Sequence, residues 1–198
     1  MKFVNKVLVE LVKRLLNSNT DKKPAPILVD DILEKVQGVK TITYTSLIKK
    51  YLKQNPNDDD VTKQMHIPKR VIEFASSTLG PCFWVYDFPE QFKQFYCTTY
   101  KRDQKSYVSA CEMWLNGNKV VSSSFSDSNY DKQLARLALL GLNPENFDTY
   151  LKSIQSASLG AYLGSFYVER LMMALLGMKN MKETVMFPRA IRGATLDP

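Results

Sequence analysis

The run Val168-Glu169-Arg170-Leu171-Met172-Met173-Ala174-Leu175-Leu176-Gly177-Met178-Lys179-Asn180-Met181-Lys182-Glu183-Thr184-Val185-Met186-Phe187-Pro188-Arg189 decides how the chain is read. Leu171, Met172, Leu175 and Leu176 recur at three- and four-residue intervals. That spacing gathers side chains on one face of an α-helix. Gly177 follows directly, and glycine closes helices because it enters the left-handed region without a Cβ penalty. The pattern predicts a helix over 169–176, with a strand over 163–167 leading into it.

Working outward, Asn116-Gly117-Asn118 separates two β-prone runs, 107–115 and 119–123. Asn-Gly between such runs is a hairpin signal. Pro81-Cys82-Phe83-Trp84-Val85-Tyr86 is a strongly apolar strand extending to Pro89, and 94–99 reads as another. Helices are expected over 68–78, over 130–140 with Gly141 closing it, and over 144–154. Thr41-Ile42-Thr43-Tyr44 is β-prone and leads into a helix over 46–52, with Thr45 or Ser46 as its cap. Val4, Val7, Leu8, Leu11 and Leu15 mark an amphipathic N-terminal helix. Lys22-Lys23-Pro24-Ala25-Pro26 is a break, and 29–36 reads as a short helix. Antiparallel strands interleaved with helices give an α+β fold: a partial antiparallel β-sheet with flanking helices. The expected organisation is one domain over 1–198, with a helical segment over 1–38 and the core over 39–198.

The 198 residues carry 27 Lys+Arg against 20 Asp+Glu, a formal charge of +7. Hydrophobic residues make up 44%, which excludes a disordered or collagen-like chain. No apolar run approaches the roughly 20 residues that cross a bilayer, so no membrane insertion is expected. The three cysteines, Cys82, Cys97 and Cys111, form no C-x-x-C pair, and neither a disulfide framework nor a metal site is expected. His66 is the single histidine and lacks a neighbouring hydrolase motif, so it reads as structural or superficial. Asp58-Asp59-Asp60 lacks the calcium-loop pattern and reads as a solvated loop. The basic N-terminal helix has some features of a mitochondrial leader, but Glu10 and the scarcity of Arg favour a domain helix. A cytoplasmic location is expected, with a mitochondrial one as the alternative.

The order Glu-Arg-Leu, apolar helix, Gly-x-x-Asn-x-x-Glu, Phe-Pro-Arg resembles motif 3 and the C-terminus of class II aminoacyl-tRNA synthetases of the aspartyl/asparaginyl branch. Thr41-Ile42-Thr43-Tyr44, the strand from Phe83 to Pro89, Phe95-Tyr96, Leu142-Asn143-Pro144-Glu145 and Tyr150-Leu151 look like the asparaginyl pattern. The resemblance covers about 40–190 and implies the C-terminal half of a synthetase core, beginning after motif 2. It places Phe95 and Tyr96 on the amino-acid side of the pocket.

The site that the resemblance implies is degraded. The three motif 3 glycines fall at Leu163, Ser165 and Tyr167, whose side chains crowd the space where a nucleotide would approach the backbone. The family's metal carboxylate falls at Lys119, which reverses the local charge. The upstream acidic position falls at Cys111, or at Glu112 after a one-residue shift. A family arginine falls at Ser126. Arg170 alone survives from the ATP clamp. With its partners gone, Arg170 and Glu169 read as a structural pair at the strand–helix junction; the alternative is a residual phosphate contact.

The expectation is therefore a non-catalytic, asparaginyl-type paralogue acting as a structural or adaptor subunit, without bound ATP or Mg²⁺. A truncated sheet exposes an edge that needs a cover. A protein partner or a homodimer is expected, and RNA is left open as a further partner by the basic balance. Two alternatives stand beside it: the C-terminal part of a split asparagine–tRNA ligase, and an amino-acid-binding sensor.

Overall fold

A computed structural model describes residues 1–17, 38–64, 66–156 and 160–187. The break at 22–26, the helix expected over 29–36 and Pro188-Arg189 lie outside the described residues. A six-stranded sheet forms the centre, in the order β1 (Lys40–Thr43), β2 (Cys82–Pro89), β4 (Lys105–Leu115), β5 (Asn118–Ser126), β6 (Ala161–Phe166), with β3 (Thr99–Arg102) pairing with β4. β1 runs parallel to β2, and the other pairings are antiparallel. The expected α+β architecture is the observed one.

Both faces of the sheet are buried near its centre, which explains why β2 reads as a continuous apolar run rather than an alternating one. On one face, Trp84, Met113, Leu115 and Val121 pack with Leu8 of α1 (Lys2–Asn17) and with Leu171, Ala174 and Leu175 of α6 (Val168–Leu176). The Trp84 indole donates to Asn5 Oδ1 at 2.9 Å, locking α1 to the sheet. On the other face, Ile42, Phe83, Val85 and Phe88 pack with Leu47 and Tyr51 of α2 (Tyr44–Gln54) and with Val71 and Ile72 of α3 (Lys69–Leu79). A third cluster joins Phe95 to Leu137 of α4 (Tyr130–Leu139) and Leu151 of α5 (Asp148–Ser156).

Local chemistry accounts for the element ends. Asn116 and Gly117 both take positive φ, the type I′ geometry that continues the twist of β4 and β5. Gly177 is left-handed and closes α6 with its N–H on the Met173 carbonyl. Three expectations need correction. α2 begins at Tyr44 and is capped by Thr43, whose Oγ1 accepts from the Ser46 N–H at 3.2 Å; neither Thr45 nor Ser46 is the cap. Residues 94–98 form a turn with an isolated bridge at Cys97, and the strand follows at Thr99–Arg102. The hairpin from β3 to β4 turns on Asp103 and Gln104, both at positive φ and without a glycine to announce them. The helix expected over 144–154 divides into a 3₁₀ turn, Pro144–Phe147, and α5.

The aspartate loop is tethered through Asp58 and Asp60, the latter accepting from Gln64 Nε2 at 2.5 Å and lying 3.7 Å from Arg70 Nη2. Asp58 accepts from the Tyr51 hydroxyl at 2.8 Å and from two Arg70 nitrogens at 2.5 and 2.8 Å. The Arg70 guanidinium holds the Asp58 pKa below its ordinary 3.8, with Tyr51 adding to the effect. The stabilisation from this carboxylate is complete above that ordinary value and is lost as pH falls through the lower folded value. Urea denaturation near neutral pH and near about pH 3 checks the sign. The wild type is expected to lose more stability on acidification than Asp58→Asn does. Leu8→Ala is expected to cost about 3 kcal/mol by emptying a packed position. Leu11→Ala, at a residue 37% exposed, is expected to cost under about 1 kcal/mol in the same assay.

Candidate functional site

A cavity of about 310 Å³ opens on the α2–α3 face of the sheet. Its floor comes from β4 and β5. Strand alternation puts Glu112 and Trp114 on this face together, and the pairing of Trp114 with Lys119 adds the lysine beside them. Tyr44 enters from the start of α2, and Arg170 from the first turn of α6. Phe88, Phe92 and Lys93 close the cavity from the end of β2 and the following turn, and exposed His66 stands at its edge.

Charge is concentrated at Glu112, whose side chain is 7% exposed. Lys93 Nζ donates to Glu112 Oε1 in a close contact, and Lys119 Nζ donates to the same oxygen at 3.1 Å. The Lys93 ammonium also lies 3.7 Å from the Phe88 ring centroid. Burial pushes the Lys93 pKa below the ordinary lysine value; Glu112 opposes the shift, and Lys119 adds to it. Arg170 rests on the Tyr167 ring, 4.8 Å from its centroid. Among the described residues it has no carboxylate partner.

The turn that carries Lys93 is clamped from α4. Arg136, 5% exposed, donates to the Glu90 carbonyl at 2.9 Å and to the Lys93 and Gln94 carbonyls at 3.2 Å each. Its Nη1 also lies 3.1 Å from the Glu90 carboxylate. Arg136 thus positions Lys93 without lining the cavity.

Two buried donors on the cavity wall have no acceptor among the described residues: the Tyr44 hydroxyl and the Trp114 indole N–H. Burial pushes the Tyr44 pKa up to about 12, so the phenol keeps its proton.

Of the residues singled out from sequence, Arg170 and Lys119 meet in this cavity. Glu112, rather than Cys111, is the acidic residue there; Cys111 faces the opposite side of the sheet beside Ser123. Register puts Ser165 beside Ser122 and Leu163 beside Ser124, on the Glu112 face of exposed β6. Tyr167 caps α6 and carries Arg170. Glu169 is exposed and forms no ion pair with Arg170 among the described residues. Ser126 ends β5 opposite Ala161, away from the cavity. Phe95 is buried against Phe147 and Tyr150, with Tyr96 edge-on to it, and neither lines the cavity. Lys93, Tyr44, Trp114 and Arg136 were not anticipated as site residues. The i, i+2 spacing of Glu112 and Trp114 was the available signal for one of them. Lys93 arrives by a fold-back that leaves no periodicity.

Residues 1–191 match the model of the family described as tRNA synthetases class II (D, K and N). An aspartate–tRNA(Asp/Asn) ligase of Methanospirillum hungatei is 23% identical over 185 residues, which cover 92% of this chain and 42% of that protein. An aspartate–tRNA(Asp) ligase of Pyrococcus furiosus is 27% identical over 193 residues, with the same shares of 92% and 42%. The crystal structure of asparaginyl-tRNA synthetase from Pyrococcus horikoshii is similar, with a TM-score of 0.75 at 20% identity, over 100% of this chain and 46% of that one. The chain thus spans less than half the length of the relatives it matches.

The buried Lys93–Glu112 pair makes a testable demand on stability. Breaking a buried pair from one side leaves an unmatched charge and costs about 3–5 kcal/mol. Lys93→Met and Glu112→Gln are each expected to destabilise on that scale. The double variant is expected to lose less than the sum, which a double-mutant cycle in urea measures.

Proposed function

The chain belongs to the class II tRNA synthetase family of the D, K and N branch, and from that premise we propose that it is a non-catalytic, asparaginyl-type paralogue serving as a structural or adaptor subunit. The observation that carries this reading is the capture of Glu112 by Lys93 and Lys119. A divalent cation needs carboxylate oxygens in a negative surrounding; here Oε1 already accepts from two ammonium groups, whose charge repels a further cation. Lys119 also stands where the resemblance calls for a metal carboxylate. The residues present therefore do not fit Mg²⁺, and no reaction step is assigned to it.

A protein partner is the second part of the proposal. β6 ends the strand order, is exposed along its whole length and is uncharged. Tyr162, Leu163 and Phe166 are all exposed on it. No described strand pairs with the outer edge of β6, and an apolar edge of this kind favours strand addition by another polypeptide. The same edge, with the chain spanning 42% of its relatives, favours one alternative: the C-terminal part of a split ligase.

Pyrophosphate exchange separates the two. The full chain with ATP, Mg²⁺ and asparagine or aspartate is expected to show none above background. Exchange by the chain alone would overturn the proposal. Exchange restored by a co-purifying chain that carries the rest of a synthetase core would establish the split enzyme instead.

A further inference from the structure

We propose that β6 is the seam of a reversible homodimer, in which two copies of this chain add their β6 strands to each other, antiparallel, about a twofold axis at Gly164. A second copy is thus the partner assigned to this edge, and the assignment rests on the adaptor reading above.

The direction of the backbone groups sets the register. The Tyr167 N–H donates to the Val120 carbonyl at 3.0 Å, and β5 and β6 pair without a shift from there to Ser126 and Ala161. Bonding alternates along an antiparallel ladder, so Ala161, Leu163 and Ser165 aim their N–H and C=O groups at β5. The Leu163 carbonyl, which also accepts from Ser123 Oγ at 3.0 Å, follows this pattern. Tyr162, Gly164 and Phe166 aim theirs outward, where no described strand pairs with them. A second copy centred on Gly164 sets that residue opposite itself and Tyr162 opposite Phe166 of the other chain. Each facing pair exchanges two backbone hydrogen bonds, so no outward group of β6 is left over.

The side chains fit the same register. Tyr162 is 86% exposed and Phe166 40%, so both leave ring surface in solvent on one face of the strand. Self-pairing joins them as two cross-strand aromatic contacts on either side of the axis. Gly164 lies between them at a φ that is not positive, and a Cβ there would meet only Ser123 Oγ, at 4.0 Å. A single copy therefore does not require glycine in mid-strand, where it costs roughly 0.5–1 kcal/mol against alanine. On the axis the missing Cβ has a use: it lets the two strands meet and the flanking rings close over the seam. Charge favours a copy over an acidic or a basic partner. The chain carries +7, so two copies repel unless the seam is uncharged. β6 has no charged residue, and so nothing with which to select an oppositely charged polypeptide. Six residues per copy make a small contact, below about 1,200 Å² in total, the range of weak and reversible association.

Sedimentation equilibrium of the full chain, from low micromolar to about 100 μM, is expected to show a monomer–dimer equilibrium. Tyr162→Lys is expected to weaken it at least about tenfold, because each dimer loses two aromatic pairs. Circular dichroism checks that this variant folds, as a residue 86% exposed should allow. Adding Phe166→Glu to Tyr162→Lys sets opposite charges across the seam in this register and is expected to recover part of the loss. Gly164→Cys is expected to give a disulfide-linked dimer under mild oxidation, since facing Cα atoms about 5.5 Å apart lie within disulfide range. The wild type, whose Cys82 and Cys97 are buried, and Lys101→Cys on exposed β3 are expected to give none. A monomer at every concentration, a dimer that Tyr162→Lys leaves unchanged, or a dimer that Gly164→Cys does not cross-link would each overturn the proposal. Those results leave the adaptor reading standing, since the edge stays open to a different polypeptide. Pyrophosphate exchange by the chain alone would sink that reading without touching the dimer.

Discussion

Burying the Glu112 carboxylate in the middle of a sheet sets a condition that distant parts of the chain must meet. The Glu112 side chain is only 7% exposed, so most of its hydration is lost. An unmatched charge there costs several kcal/mol by any realistic account. Lys119 is local, brought alongside by the β4–β5 hairpin. Lys93 is not: it reaches Glu112 because the chain after β2 folds back over the sheet. That fold-back depends on Arg136, which ties three carbonyls of the turn to α4. α4 is in turn fixed by Leu137 in the cluster with Phe95 and Leu151. The order of dependence therefore runs from an apolar cluster, through a buried guanidinium, to one ammonium group and one carboxylate.

Phe95 enters this chain of dependence through its packing with Leu137 and Leu151. The aromatic pair Phe95-Tyr96 follows Lys93 in sequence and packs in the cluster with Leu137 and Leu151. Its ring surface stabilises the turn that aims Lys93.

Elements governed by local chemistry were legible in the sequence. The Asn116-Gly117 turn, the closure of α6 at Gly177 and the apolar run of β2 follow from backbone sterics and periodicity, and the structure repeats them. The turn at Asp103-Gln104 was not legible, because neither residue demands positive φ; pairing of β3 with β4 imposes it. The site shows the same division. Arg170 was named from the order of motif 3, and Lys119 as a departure from the pattern the resemblance implies. Choosing Glu112 over Cys111 required knowing the register of β4, since a one-residue slip moves every side chain to the other face. Lys93 and Tyr44 come from separate elements, so their convergence exists only in three dimensions.

The two ends of the sheet are treated differently, and the difference has a physical meaning. β1 is four residues long, opens with Lys40 and runs straight into α2, so it offers little for another strand to join. β6 has six residues in unbroken register with β5, no charge, no proline and no bulge. Short charged edges resist strand addition, whereas regular uncharged ones invite it. The cavity above Glu112 lies on one face of the sheet, and β6 continues that face outward through Ser165 and Leu163. A strand added there would extend the wall of the cavity on the side of Arg170. α6 borders both features: its first turn carries Arg170 and its buried face packs on β5.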